Sequence, residues 1–101
     1  MLTLTKKTEA DLLTFVLEGR LDTTTAPRLE KELAAALPGV TRLVLDLQAL
    51  EYISSAGLRV LLSTQKQMVR QQGQMVVRHA SPAVTEIFEI TGFSDILTLE
   101  A

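Results

Sequence analysis

The chain has 101 residues, 47% of them hydrophobic, and a formal net charge of −2; this is enough apolar material for one core, so residues 1–101 are expected to form a single domain. Its Lys and Arg residues are scattered, which excludes a basic footprint for nucleic acid or an anionic membrane, and with no cysteine it has no disulfide framework, thiolate zinc site or cysteine nucleophile. The N-terminus lacks the apolar core of a signal peptide, and no stretch approaches the roughly 18–20 apolar residues of a membrane span, so a soluble, cytoplasmic chain with a protein partner is expected.

Residues 2–7 and 12–17 read as two strands parted by the polar segment Thr8–Asp11, a hairpin opening the domain. Asp22 and Thr23 to Thr25 then offer N-caps, Pro27 suits a first helical turn, and Ala26, Leu29, Leu33 and Leu37 form the apolar stripe of a first helix. Pro38 and Gly39 end it. Residues 43–47 are nearly all apolar, the pattern of a strand covered on both faces, although periodicity alone leaves one-sided and two-sided helical cover both open.

A loop over 48–53 is expected to lead to Ser54 and Ser55 at the start of a second helix, with Leu58, Leu61, Leu62, Met68 and Val69 inward and Gln65, Lys66, Arg70 and Gln71 toward water. Gly73 closes that helix, and residues 74–78 form a short strand. Ser81 caps and Pro82 opens a third helix ending at Gly92, and residues 96–99 read as a last strand. The order β-β-α-β-α-β-α-β predicts an α/β fold with a mixed, mainly parallel sheet.

Sites in open α/β sheets form beyond the carboxyl ends of parallel strands. That rule gathers Asp22 after the second strand, Asp46 near the expected end of the third, and the Ser54–Ser55 pair. A serine at a helix start caps free N–H groups, a structural role worth roughly 1 kcal/mol. It also suits a phosphate acceptor, because free N–H donors and the positive end of the helix dipole meet the added charge. One serine can cap while the other is exposed. Gly57 costs about 1 kcal/mol relative to Ala inside a helix, so it serves either tight packing against the sheet or, with Ala56, a low patch through which a partner reaches a hydroxyl.

The segment Leu43–Leu62, with Ser54, Ser55, Ala56, Gly57 and Leu58 at its centre, resembles the signature of STAS-domain anti-sigma-factor antagonists, and Gly19–Ala26 is similar to their upstream motif. The resemblance spans nearly the whole chain. It implies a phosphorylated serine two residues before the glycine, which falls on Ser55; the family's preceding Asp is replaced here by Ser54. It also implies partner switching. The unphosphorylated antagonist binds an anti-sigma factor that is a serine/threonine kinase and frees a sigma factor, phosphorylation releases it, and a serine phosphatase resets it. Asp22, Thr23, Thr24, Ser54, Ser55, Ala56, Gly57 and Arg59 are the expected partner-binding residues, with Arg59 one turn from the acceptor. The family's Asp at the position of Asp46 reads as a loop or backbone hydrogen-bonding group. No cofactor, metal or catalytic residue is expected, and the free chain is expected to be a monomer.

Three other readings compete. A hydrolase would use Ser55 as nucleophile, His79 as base and Asp22 or Asp46 to orient it, but there is no Gly-x-Ser-x-Gly elbow, and the five glycines are spread one per turn with no phosphate-cradling loop. A receiver-like domain phosphorylated on Asp46 would need further acids for Mg²⁺, and the first strand ends without an acidic pair. A STAS module of a stress-signalling or lipid-transport assembly, or of an anion transporter, would share the fold without sigma-factor control.

Overall fold

The second expected strand is almost wholly apolar, and in the computed structural model, which describes residues 1–100, it is burial that alternates along it and organises the sheet. Strand β2 (Leu12–Leu21) turns Leu13, Phe15, Leu17 and Leu21 inward, all fully or almost fully buried. On one side it pairs antiparallel with β1 (Leu2–Glu9), and on the other it pairs parallel with β3 (Arg42–Ile53). Strands β4 (Gln74–Arg78) and β5 (Thr98–Glu100) extend the sheet in parallel, giving the spatial order β1-β2-β3-β4-β5. Helices α1 (Ala26–Ala36), α2 (Ser55–Arg70) and α3 (Pro82–Thr91) fill the three crossovers, so the expected order of strands and helices holds.

One apolar cluster joins the sheet to all three helices: Leu29, Leu33 and Leu37 from the α1 region, Leu58, Leu61 and Met68 from α2, and Val84 and Phe88 from α3. Leu43, Leu45 and Leu47 of β3 belong to it. Val44, though only 7% exposed, lies outside it, on the opposite side of the strand by alternation. Its register partners Thr14 and Val76 flank it there. The apolar run at 43–47 is therefore not the sign of a strand sandwiched between two helical layers.

Several sequence expectations are corrected. Segment 48–53 is not a loop but the second half of β3, where two register irregularities against β2 return Leu50 and Ile53 to the inner face. Those bulges break the period-2 pattern that would have marked a strand. The opening hairpin turns on Ala10 and Asp11 alone, with Ala10 at a φ of 56° that usually goes to Gly or Asn. Val69 faces solvent, 63% exposed. Gln71 is half-buried, its Nε2 donating to the carbonyls of Leu37 and Val40 at 3.1 Å each, which satisfies acceptors at the end of α1; Gln65 is also half-buried. After Gly92 (φ 81°) a 3₁₀ turn over Phe93–Asp95 delays the last strand from 96–99 to Thr98–Glu100.

Gly57 is buried, and the contacts decide between the two readings of it. A β-carbon there would stand 2.8 Å from Leu21 Cγ and 2.9 Å from Ile53 Cγ1, both close to the stems of core side chains. The glycine lets the first turn of α2 sit directly on the ends of β2 and β3. In an exposed helix, Gly→Ala stabilises by about 1 kcal/mol. Here the sign reverses: Gly57→Ala is expected to destabilise the domain by about 1–3 kcal/mol through overpacking, read as a lower midpoint in urea monitored by circular dichroism.

Candidate functional site

Because β2 and β3 are parallel, their carboxyl ends lie together, with Leu21 opposite Ile53. From Leu21 the chain turns through Asp22–Thr25 into α1, and from Ile53 it enters α2 through Ser54. The backbone N–H of Ser54 donates to the Leu21 carbonyl at 2.9 Å, so the acidic loop and the start of α2 are tied side by side.

The two serines divide the work. Ser54 is extended (φ −98°, ψ 176°); its Oγ accepts from Gly57 N–H at 3.4 Å and its carbonyl from Leu58 N–H at 2.9 Å, the arrangement of an N-cap. Ser55, the first residue of α2, is exposed, and its hydroxyl has no hydrogen-bond partner among the described residues. The N–H groups of Ser55 and Ala56 likewise find no protein acceptor among the described residues, and the first turn of α2 carries no acidic side chain. The helix end is open to an anion.

Asp22 organises the neighbouring loop. Its Oδ1 accepts from Thr24 Oγ1 (2.8 Å), Thr24 N–H (3.0 Å), Thr25 N–H (3.1 Å) and Thr25 Oγ1 (3.2 Å). Its own N–H donates to Thr25 Oγ1 at 2.9 Å. Thr25 occupies the cap position of α1 without making a side-chain cap bond, so Asp22 braces the turn from three residues upstream rather than capping the helix itself. The Thr24 hydroxyl, followed by the Thr25 and Thr24 amides and the Thr25 hydroxyl, holds the Asp22 carboxyl below its ordinary value of 3.8 against an opposing effect of burial. Across from this loop, Thr23, Ala26, Pro27 and Glu30 face Ala56, Arg59 and Val60 over a shallow groove of about 260 Å³. Of the expected partner-binding residues, Thr23, Ala56 and Arg59 thus line one groove, exposed Thr24 and Ser55 are their chain neighbours, and Gly57 is buried.

Asp46 does not belong there. It stands in register with Val16 and Arg78, seven residues before Ile53, which along a strand is about 20 Å. Its Oδ1 accepts from Gln48 N–H at 3.0 Å, the local backbone role expected for it, and lies 3.4 Å from His79 Nδ1. His79 is therefore committed to the neighbourhood of Asp46, and the Ser–His–Asp arrangement is not assembled. Sequence reasoning missed Arg20 and Tyr52. They face each other across β2 and β3, with the Arg20 guanidinium carbon 4.4 Å from the Tyr52 ring centroid and its Nε 4.0 Å from Asp22 Oδ2. An exposed Tyr two residues before the serine pair, and an Arg two before Asp22, were the available signals.

The geometry is that of a small α/β domain with a mixed sheet whose polar site sits at the carboxyl ends of two parallel strands. The chain belongs to the STAS domain family, whose model matches residues 3–101. It is 48% identical over 86 residues to BtrV of Bordetella bronchiseptica, whose name classes it with anti-sigma factor antagonists; the match covers 84% of this chain and 74% of that one. It is 30% identical over 97 residues to an anti-sigma-B factor antagonist of Listeria monocytogenes, covering 94% and 84%. The crystal structure of an anti-sigma factor antagonist from Mycobacterium paratuberculosis superposes with a TM-score of 0.88 at 27% identity, covering 99% of this chain and 86% of the other.

Two predictions test the site. Ser54→Ala is expected to cost about 1 kcal/mol by removing the cap, and Ser55→Ala to change stability little, as measured by urea denaturation. A carboxyl whose folded value is depressed stabilises the fold fully above its ordinary value of 3.8, and that contribution is lost as pH falls through the lowered folded value. Acid unfolding of Asp22→Asn should accordingly show a shallower loss below about pH 4 than the parent chain. Asp11, lowered by the Thr41 hydroxyl, adds to the same acid slope, so carboxyl-carbon NMR titration should read Asp22 separately.

Proposed function

We propose that this chain is a cytoplasmic anti-sigma-factor antagonist that binds an anti-sigma factor serine/threonine kinase and is released by phosphorylation of Ser55. The observation that carries the reading is the division of labour at the start of α2: Ser54 makes the cap, and Ser55 is exposed, its hydroxyl unbonded among the described residues. A kinase can therefore take the Ser55 hydroxyl without uncapping the helix. The names of the Bordetella and Listeria relatives support the same role.

In this reading the docking surface comprises Asp22, Thr23, Thr24, Ser54, Ser55, Ala56 and Arg59, with Gly57 setting the height of the first turn. Phosphorylation adds about −1.5 to −2 charges at an end where free N–H groups and the helix dipole accommodate it, so the fold survives. Exposed Arg59, at i+4, lies within reach of the phosphate. Binding does not survive, because the charge arrives beside Asp22 in a surface that must shed its water to dock. A serine phosphatase restores the binding form. The chain acts by association, with no reaction of its own.

Incubation with ATP and the cognate kinase should add one phosphate, mapped by mass spectrometry to Ser55. In calorimetric titration, Ser55→Ala should bind the kinase as the parent chain does, and Ser55→Asp should bind at least about ten-fold more weakly while remaining folded by circular dichroism. Modification at Ser54 alone, or unchanged kinase affinity after phosphorylation of Ser55, would refute the switch.

A further inference from the structure

We infer that Arg20 and Tyr52 form a carboxylate-reading patch that selects anti-sigma factors presenting an Asp or Glu side chain opposite it. This rests on the antagonist reading and concerns which partner that surface admits.

The two residues stand opposite each other at the second irregularity of the β2–β3 pairing, one step before Leu21 and Ile53. They therefore share the sheet end that carries Asp22 and Ser54. Neither belongs to the apolar core: the Arg20 side chain is 52% exposed and Tyr52 37% exposed. Their arrangement is nonetheless specific. The ring at 4.4 Å takes one face of the guanidinium, and the Asp22 carboxylate at 4.0 Å attracts its Nε without reaching hydrogen-bond distance. The Arg20 side chain donates no hydrogen bond among the described residues: Asp22 Oδ1 is engaged by Thr24 and Thr25, and Oδ2, the oxygen nearer Arg20, stays 4.0 Å from its Nε.

A guanidinium held this way has lost part of its hydration and its rotamer freedom in the free protein, while its fork of N–H donors stays available. The group that matches such a fork is a carboxylate, through two parallel hydrogen bonds. Arg and Tyr are also the residue types that most often dominate interface energies. A partner cation set on the fork itself would meet the Arg20 charge, which Asp22 at 4.0 Å from Nε offsets only in part, so the patch discriminates by the geometry of the fork as well as by charge.

The test uses the purified anti-sigma factor kinase bound by the parent chain. Arg20→Glu should weaken binding at least about ten-fold, Arg20→Lys less, and Tyr52→Leu several-fold, with every variant folded by circular dichroism. Replacing one acidic residue of the kinase by Arg should restore affinity for Arg20→Glu and not for the parent chain, a compensation that a purely structural role would not produce. Tyr52 is the only tyrosine. Incorporated 3-fluorotyrosine should therefore give one ¹⁹F resonance that shifts when the kinase binds. Equal affinity of the parent chain and Arg20→Glu, or an effect confined to the Ser55-phosphorylated form, overturns this inference and leaves the antagonist reading standing. Failure of the parent chain to bind any anti-sigma factor overturns both.

Discussion

The hydrogen bond from Ser54 N–H to the Leu21 carbonyl, with Gly57 seated on the side chains of Leu21 and Ile53, is the joint on which the functional surface depends. It ties the exit of β2 to the entry of α2 within the backbone itself. Every polar group assigned to the site hangs from one side of it or the other. The Asp22 loop begins one residue after Leu21, and the serine pair begins one residue after Ile53. Because the joint is closed by core contacts, a charge added at Ser55 changes the surface without loosening its support.

Around that joint the local hydrogen bonds are arranged asymmetrically. The entry to α1 is saturated: Asp22 Oδ1 accepts from the Thr24 hydroxyl and the Thr24 and Thr25 amides, and the one Thr25 hydroxyl hydrogen is shared between it and the Arg20 carbonyl. The entry to α2 has one capping serine, two N–H groups without an acceptor among the described residues, and no acidic side chain in its first turn. Anionic charge is thus built in on one side and has room to be added on the other. Such a pair of helix entries suits the proposed switch at Ser55, since the positive end of the α2 dipole would stabilise a new anion beside the braced Asp22 loop.

The candidate site was partly legible from residue order because parallel pairing follows from helical crossovers, and parallel strands bring their carboxyl ends together. That rule correctly united Asp22 with Ser54 and Ser55. It failed for Asp46 because the length of β3 was misjudged: the two bulges hide six further strand residues, 48–53, and a residue thought near the end is mid-strand. Arg20 and Tyr52 escaped notice for the same reason. Their meeting depends on a register shift, and a register shift leaves no fixed spacing to read.

Sequence alone determined the element order, the capped starts of α2 and α3, the inward stripe of α1, and the resemblance that points to Ser55. These depend on contacts between near neighbours along the chain, where side-chain period, capping chemistry and glycine positions act directly. Tertiary structure decided which side of the sheet the helices cover, why Gly57 has no side chain, that Gln71 closes the end of α1 while Val69 faces water, and that Arg20 lies on Tyr52. Each of those outcomes is set by the separation of atoms far apart in the chain, and only the packed register of β2, β3 and α2 gives that separation a value.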